Sequence, residues 1–246
     1  MFRTIDLGKN PGVRQRLVDK SRPSLNAVIP KVRRIIEMVR REGDAALLEL
    51  TKKYDRVMLK RGEIRVSKDE IESSYDEIDP GVLSAIREAA EIIRHYHSKQ
   101  LPKEWNTEVV PGVRAGQILR PLDRVGIYIP GGLARYPSTA LHTIVPAKVA
   151  GVEHIVVCTP PSRDGRIDPV TLVAIDIAGG GEVYRVGGPQ AIAAMAWGTE
   201  TIPRVDKIVG PGNVYVTVAK LLVSVRVGID FPAGPTELVI LADSSA

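Results

Sequence analysis

From Arg124 onward the chain alternates short apolar runs with helical stretches, and that alternation constrains its fold more than any other feature. The runs are "VGIYIP", "HIVVCTPP", "EVYRVGG" and "VDKIVGPG". Between and after them lie "STALHTIVPAKVAG", "DPVTLVAIDIAGG", "PQAIAAMAWG" and "NVYVTVAKLLV". The runs are rich in Val and Ile and close on Gly or Pro, as strands buried on both faces do. Parallel strands need crossovers, and helices supply them. The expected fold class is therefore α/β: a Rossmann-like parallel sheet with helices on both faces, over residues 125–235.

Upstream the period changes. Residues 1–26 are polar, with Pro11, Gly12 and Pro23, and read as an N-terminal arm. In "VIPKVRRIIEMVRREGDAALLELTKKYD", Val32, Ile35, Ile36 and Val39 share one helical face. Gly43 interrupts the pattern, so two helices should meet near Glu42–Asp44. Ser67 and Glu70 have the spacing of a capping box. "DPGVLSAIREAAEIIRHYHSKQLP" predicts a further helix, ended by Pro102. Residues 27–124 are assigned to part of a first, helix-rich α/β domain. Residues 236–246, with the apolar strand Leu238 to Leu241, are read as a return strand into it.

Composition excludes several classes of function. No window approaches ~18 consecutive apolar residues, so no membrane span is expected. The N-terminus, "MFRTIDLGKN", lacks the basic-then-apolar order of a secretory signal. A single cysteine, Cys158, excludes an intrachain disulfide framework and fits a cytoplasmic protein. The formal charge of +5 is spread along the chain, and aromatics are only 4%, so nucleic-acid binding is not expected. His95 and His97 stand two apart on a helix and diverge, so they cannot share one metal ion.

In an open parallel sheet, ligands bind beyond the carboxyl ends of the strands. That rule selects the loops 128–138, 159–165, 186–191 and 209–213 on one rim. Three carry Gly beside Pro, which lets backbone N–H groups approach a nucleotide or another phosphorylated ligand. None has the G-x-G-x-x-G spacing. The polar side chains there are Tyr128, Arg135, Ser138, Gln190 and Asn213, with Thr236 and Glu237 further on. Tyr, Gln and Asn can hydrogen-bond ribose hydroxyls or a carboxamide, but cannot do acid–base work at neutral pH. Arg135 and Lys148 read as solvated surface.

Three long strings carry a resemblance: "RVGIYIPGGLARYPSTALHTIVPAKVAGVEHIVVCTPP", "VGGPQAIAAMAWGTETIPRVDKIVGPGNVYVTVAK" and "GIDFPAGPTELVILAD". They closely resemble histidinol dehydrogenase, as does "VRRIIEMVRREGDAALLELTKKYD", so the likeness spans nearly the whole chain. It implies NAD-dependent oxidation of L-histidinol to L-histidine through the aldehyde, the last step of histidine biosynthesis. It also implies zinc and a homodimer. Carried over by position, it implies NAD contacts for Tyr128, Gln190 and Asn213, and a substrate contact for Thr236. Pro189 stands where the family usually has alanine, and proline suits the start of a helix.

The family signature beginning "IDxxAGP[ST]E" runs on to a Glu–His pair, and this sequence stops at Ala246 within it. The resemblance places the family's zinc ligands and its acid–base pair beyond that point. No catalytic residue and no metal ligand is therefore assigned among residues 1–246. The expectation is the N-terminal portion of such an enzyme, binding NAD and inactive alone; a short non-enzymatic paralogue is the alternative.

Overall fold

A computed structural model describes residues 9–10, 12–13, 25–131 and 135–232. The expected Leu238–Leu241 strand and Thr236 lie outside the described residues, as does most of the arm.

Two amphipathic helices open the described chain, α1 (Ile29–Glu42) and α2 (Asp44–Tyr54). They meet at Gly43, whose φ of +55° breaks the helix there. Next come α3 (Lys68–Ser74) and α4 (Pro80–Ser98). Asp79 caps α4 by accepting from the N–H groups of Gly81 and Val82. Half of the expected capping box forms: Ser67 accepts from the Glu70 N–H at 3.1 Å. The Glu70 carboxylate instead pairs with Arg185, whose guanidinium also donates to the Glu63 and Arg65 carbonyls.

A hairpin, β1 (Trp105–Val110) and β2 (Val113–Gln117), turns on Pro111–Gly112 and is exposed along its whole length. The parallel sheet follows: β3 (Arg124–Tyr128), β4 (His154–Thr159), β5 (Glu182–Arg185), β6 (Lys207–Val209) and β7 (Gly228–Ile229). Its strand order is β5-β4-β3-β6-β7, all parallel. The connecting helices are α5 (Pro137–Val149), α6 (Pro169–Ile177), α7 (Gly188–Trp197) and α8 (Val214–Val223). The α/β, Rossmann-like expectation therefore holds.

The chain builds outward from β3 to β5, then crosses back to β6. That reversal puts α5 and α6 on one face and α7 and α8 on the other. Alternation within each strand serves both faces. Val125, Ile127, Val157 and Val183 pack with α5 and α6. Tyr128, Cys158, Tyr184 and Ile208 pack with α7 and α8. The N-terminal helices form outer layers on the same sheet: α1 and α2 cover α7 and α8, while α3 and α4 cover α5 and α6. The segment at Ile64–Val66 pairs along β5, through Arg185 N–H to Ile64 O and Val66 N–H to Val183 O. It thereby covers an edge that would otherwise present unpaired backbone. No helix among the described residues is long and apolar enough to cross a membrane.

Candidate functional site

The reversal of strand order between β3 and β6 opens a crevice at their carboxyl ends, where open α/β sheets take ligands. Tyr128, the last residue of β3, is level with Cys158 of β4, and Ile127 is level with Val209 of β6. A cavity of about 260 Å³ lies there, and it unites the three neutral side chains selected from the sequence, Tyr128, Gln190 and Asn213. Pro160 and Gly131 form part of its wall.

Each of the three is held differently. The Tyr128 hydroxyl accepts the Gly188 N–H at 3.0 Å. Burial pushes this phenol up to about 12, despite the Gly188 N–H and with the nearby Asp55 adding to the rise. Tyr128 is therefore a neutral O–H donor at physiological pH. Gln190 stands in the first turn of α7 and is 2% exposed. Its Oε1 is buried without a hydrogen-bond partner. A buried acceptor in that state costs about 1–3 kcal/mol, a debt that a ligand donor would cancel. Asn213 caps α8: its Oδ1 accepts the N–H groups of Tyr215 and Val216 at 3.0 and 3.2 Å. The cap leaves the amide N–H donors of Asn213 out of its bonds.

Four further lining residues with polar side chains were not found by sequence reasoning: Lys31, Tyr54, Asp55 and Tyr215. Tyr215 follows the Asn213 cap by two positions and could have been reached from it. The other three come from α1 and the end of α2, far away in sequence. The Lys31 ammonium lies 5.3 Å from the Tyr54 ring centre and 4.9 Å from that of Tyr215, within cation–π range of both. Asp55 is half-buried, and its Oδ2 has no partner. Arg56, which follows, has a left-handed backbone with φ +60°, uncommon for a residue with a side chain.

Burial lifts the Asp55 carboxyl to about 6. A carboxyl raised on folding leaves the folded state fully favoured only below its unfolded value. That advantage is lost as pH rises through the folded value. Asp55→Asn is therefore expected to stabilise the protein by roughly 1–2 kcal/mol near pH 8, with the gain vanishing near pH 4. Thermal midpoints of both proteins across that range check this; a pH-independent difference would refute it.

A neighbouring cavity of about 370 Å³ shares Gly131 and Pro160 but is walled by charges that pair with one another. Arg135 Nε meets Asp168 at 2.9 Å, and Arg166 binds Glu77. Asp168 also caps α6 through the Thr171 N–H at 2.9 Å. Arg135 is thus an ion-paired side chain rather than merely a solvated one. Ser138 lies in the first turn of α5 and does not line either cavity. Cys158 is fully buried, and burial pushes its thiol up, so it packs rather than reacts. His97 Nδ1 is 2.6 Å from Gln100 Oε1 on the exposed end of α4, and it lines neither cavity. Among the described residues, no group of three or more His, Cys, Asp or Glu could hold a metal ion.

The family model described as histidinol dehydrogenase matches residues 18–246. The chain belongs to the histidinol dehydrogenase family. A histidinol dehydrogenase from Methanothermobacter thermautotrophicus is 56% identical over 230 residues, covering 94% of this chain and 54% of the relative. One from Methanosarcina mazei is 52% identical over 233 residues, covering 94% of this chain and 53% of the relative. The crystal structure of histidinol dehydrogenase from Elizabethkingia anophelis superposes with a TM-score of 0.81 at 38% identity, over 96% of this chain and 49% of that one. The chain spans about half the length of these histidinol dehydrogenases.

Proposed function

We propose that this chain supplies the NAD-binding part of an NAD-dependent histidinol dehydrogenase, which oxidises L-histidinol to L-histidine. One observation carries the reading: Tyr128, Gln190 and Asn213 line one cavity at the strand-order reversal. The residues present suit a dinucleotide. The unpartnered Gln190 Oε1 calls for a donor such as a ribose hydroxyl or a carboxamide. The Tyr128 O–H and the Asn213 amide offer donors in return. Helices α7 and α8 begin at the cavity, and their N-termini favour a pyrophosphate. NAD, when bound, accepts hydride.

Zinc enters this reading only at the level of the family. Residues 1–246 supply no fitting ligand cluster among those described, and no step is assigned to a metal here. Thr236 is proposed to touch the substrate. A homodimer in the cytoplasm belongs to the same reading. The exposed apolar side chains Trp105, Val109, Val110 and Val113 of the hairpin support a covering partner.

Isothermal titration of the 246-residue chain with NAD tests the cofactor assignment. Gln190→Ala is expected to weaken binding about tenfold, through loss of one buried hydrogen bond. Asn213→Ser keeps a helix cap and removes the amide, and should weaken binding by a similar factor. If neither variant shifts the affinity, these residues do not hold the cofactor. The same chain supplied with L-histidinol, NAD and zinc is expected to give no sustained NADH. Steady NADH formation would place proton-transfer groups within residues 1–246.

A further inference from the structure

The turn after β6 is held by charged side chains where backbone or water would suffice. The Gly210 N–H donates to Asp230 Oδ2 at 2.9 Å, and the Gly210 carbonyl accepts from Lys220 Nζ at 2.9 Å. Lys220 and Asp230 also form an ion pair with each other. Lys220 comes from the second turn of α8 and is 2% exposed. Asp230 follows β7, and its own N–H reaches the Ile208 carbonyl at 3.2 Å. Asp230 thus extends the β6–β7 ladder with its side chain, where the strand itself has ended.

Gly210 is pressed against the end of β3. Its φ is +118°, and an added Cβ would lie 2.1 Å from the Tyr128 carbonyl oxygen. Three residues later the chain reaches Asn213. One clamped glycine therefore fixes the distance between the end of β3, which presents Tyr128, and the loop that presents Asn213. Lys220 is buried and Asp230 half-buried, and an ion pair taken out of water adds little net stability compared with apolar residues of similar size. Its value here is geometric: it defines the backbone hydrogen bonds on both sides of one residue, Gly210.

We propose that Lys220 and Asp230 are positioning residues that set the width of the cofactor cavity by locking Gly210 against Tyr128. This rests on the NAD reading above. The test compares the wild-type chain with Lys220→Met/Asp230→Leu, which removes both charges and orphans neither. The expected result is a folded protein in which the Gly210 amide exchanges with solvent about a hundredfold faster and the NAD Kd rises about tenfold. Leu172→Ala, in α6 on the opposite face, serves as a control for lost stability alone, and should leave the Kd within about twofold.

A folded double variant with unchanged Gly210 exchange and an unchanged Kd overturns the proposal. So does a Kd that moves no more than in Leu172→Ala. Should the double variant not fold, Lys220→Met/Asp230→Asn keeps an acceptor for the Gly210 N–H, removes the donor to its carbonyl and leaves no charge unpaired. It is expected to raise the Kd about threefold, and an unchanged Kd there overturns the proposal equally. A wild-type chain that fails to bind NAD overturns the cofactor reading, and the role assigned to the pair falls with it. Wild-type binding with an indifferent variant overturns the pair alone.

Discussion

Replacing Gly210 by alanine is expected to destabilise the protein by roughly 3 kcal/mol or more and, on the proposed NAD reading, to weaken NAD binding with it. Two effects add. A φ of +118° lies in a region that residues with a Cβ rarely occupy. The new methyl would also stand 2.1 Å from the Tyr128 carbonyl oxygen and 3.0 Å from its carbon, which are backbone atoms in a central strand. Neither can move without breaking the β3–β4 ladder. Urea unfolding should show a lower midpoint with an unchanged slope, and NAD titration should show weaker binding. Gly62→Ala is the matched control, because a Cβ there meets nothing within 4 Å. If both variants unfold at the wild-type midpoint, the close approach at Gly210 is not real.

Asp44→Ala is expected to cost roughly 3 kcal/mol at neutral pH. Asp44 is 1% exposed and opens α2. Its carboxylate accepts Arg61 Nε at 2.9 Å, the Thr201 N–H at 3.2 Å and the Thr201 hydroxyl. Arg61 also reaches Glu200 at 2.7 Å, and Glu200 accepts the Asp44 N–H at 2.8 Å. The network ties the start of α2 to the loop after α7. Burial alone would raise the Asp44 carboxyl, but hydrogen bonds from Thr201, Thr199 and Arg61 outweigh it and hold the group below its ordinary value. A depressed folded value stabilises the protein above the unfolded value of about 4, and that contribution fades as pH falls through the folded one. The difference between wild type and variant should therefore be large near pH 7 and shrink toward about pH 3. Urea unfolding at the two pH values measures it; equal differences would contradict the network.

The sheet was legible because buried parallel strands need continuous apolar runs, and "VGIYIP", "HIVVCTPP" and "EVYRVGG" have little other use. The α1–α2 junction was legible because glycine at position 43 stops a helix locally. Rim residues Tyr128, Gln190 and Asn213 followed from the rule that ligands bind at strand ends. The hairpin Trp105–Gln117 went unread. Its strands carry no buried face, so no period-2 pattern separates them from a loop. The Glu70 carboxylate also went elsewhere than its sequence spacing implied, because Arg185, more than a hundred residues away, is buried beside it.

Local chemistry in the sequence thus determined the elements, the parallel sheet and the neutral donor and acceptor set at its rim. Only the tertiary structure decided what surrounds that set. Strand order brings β6 beside β3, so Gly210 meets Tyr128 and two distant loops become one cavity. Packing of α1 and α2 on α7 and α8 delivers Lys31, Tyr54 and Asp55 to the same place. Sequence periodicity records which face of a helix is buried, but not against which neighbour. The cavity, the unpartnered acceptors and the Lys220–Asp230 clamp all arise from that second choice.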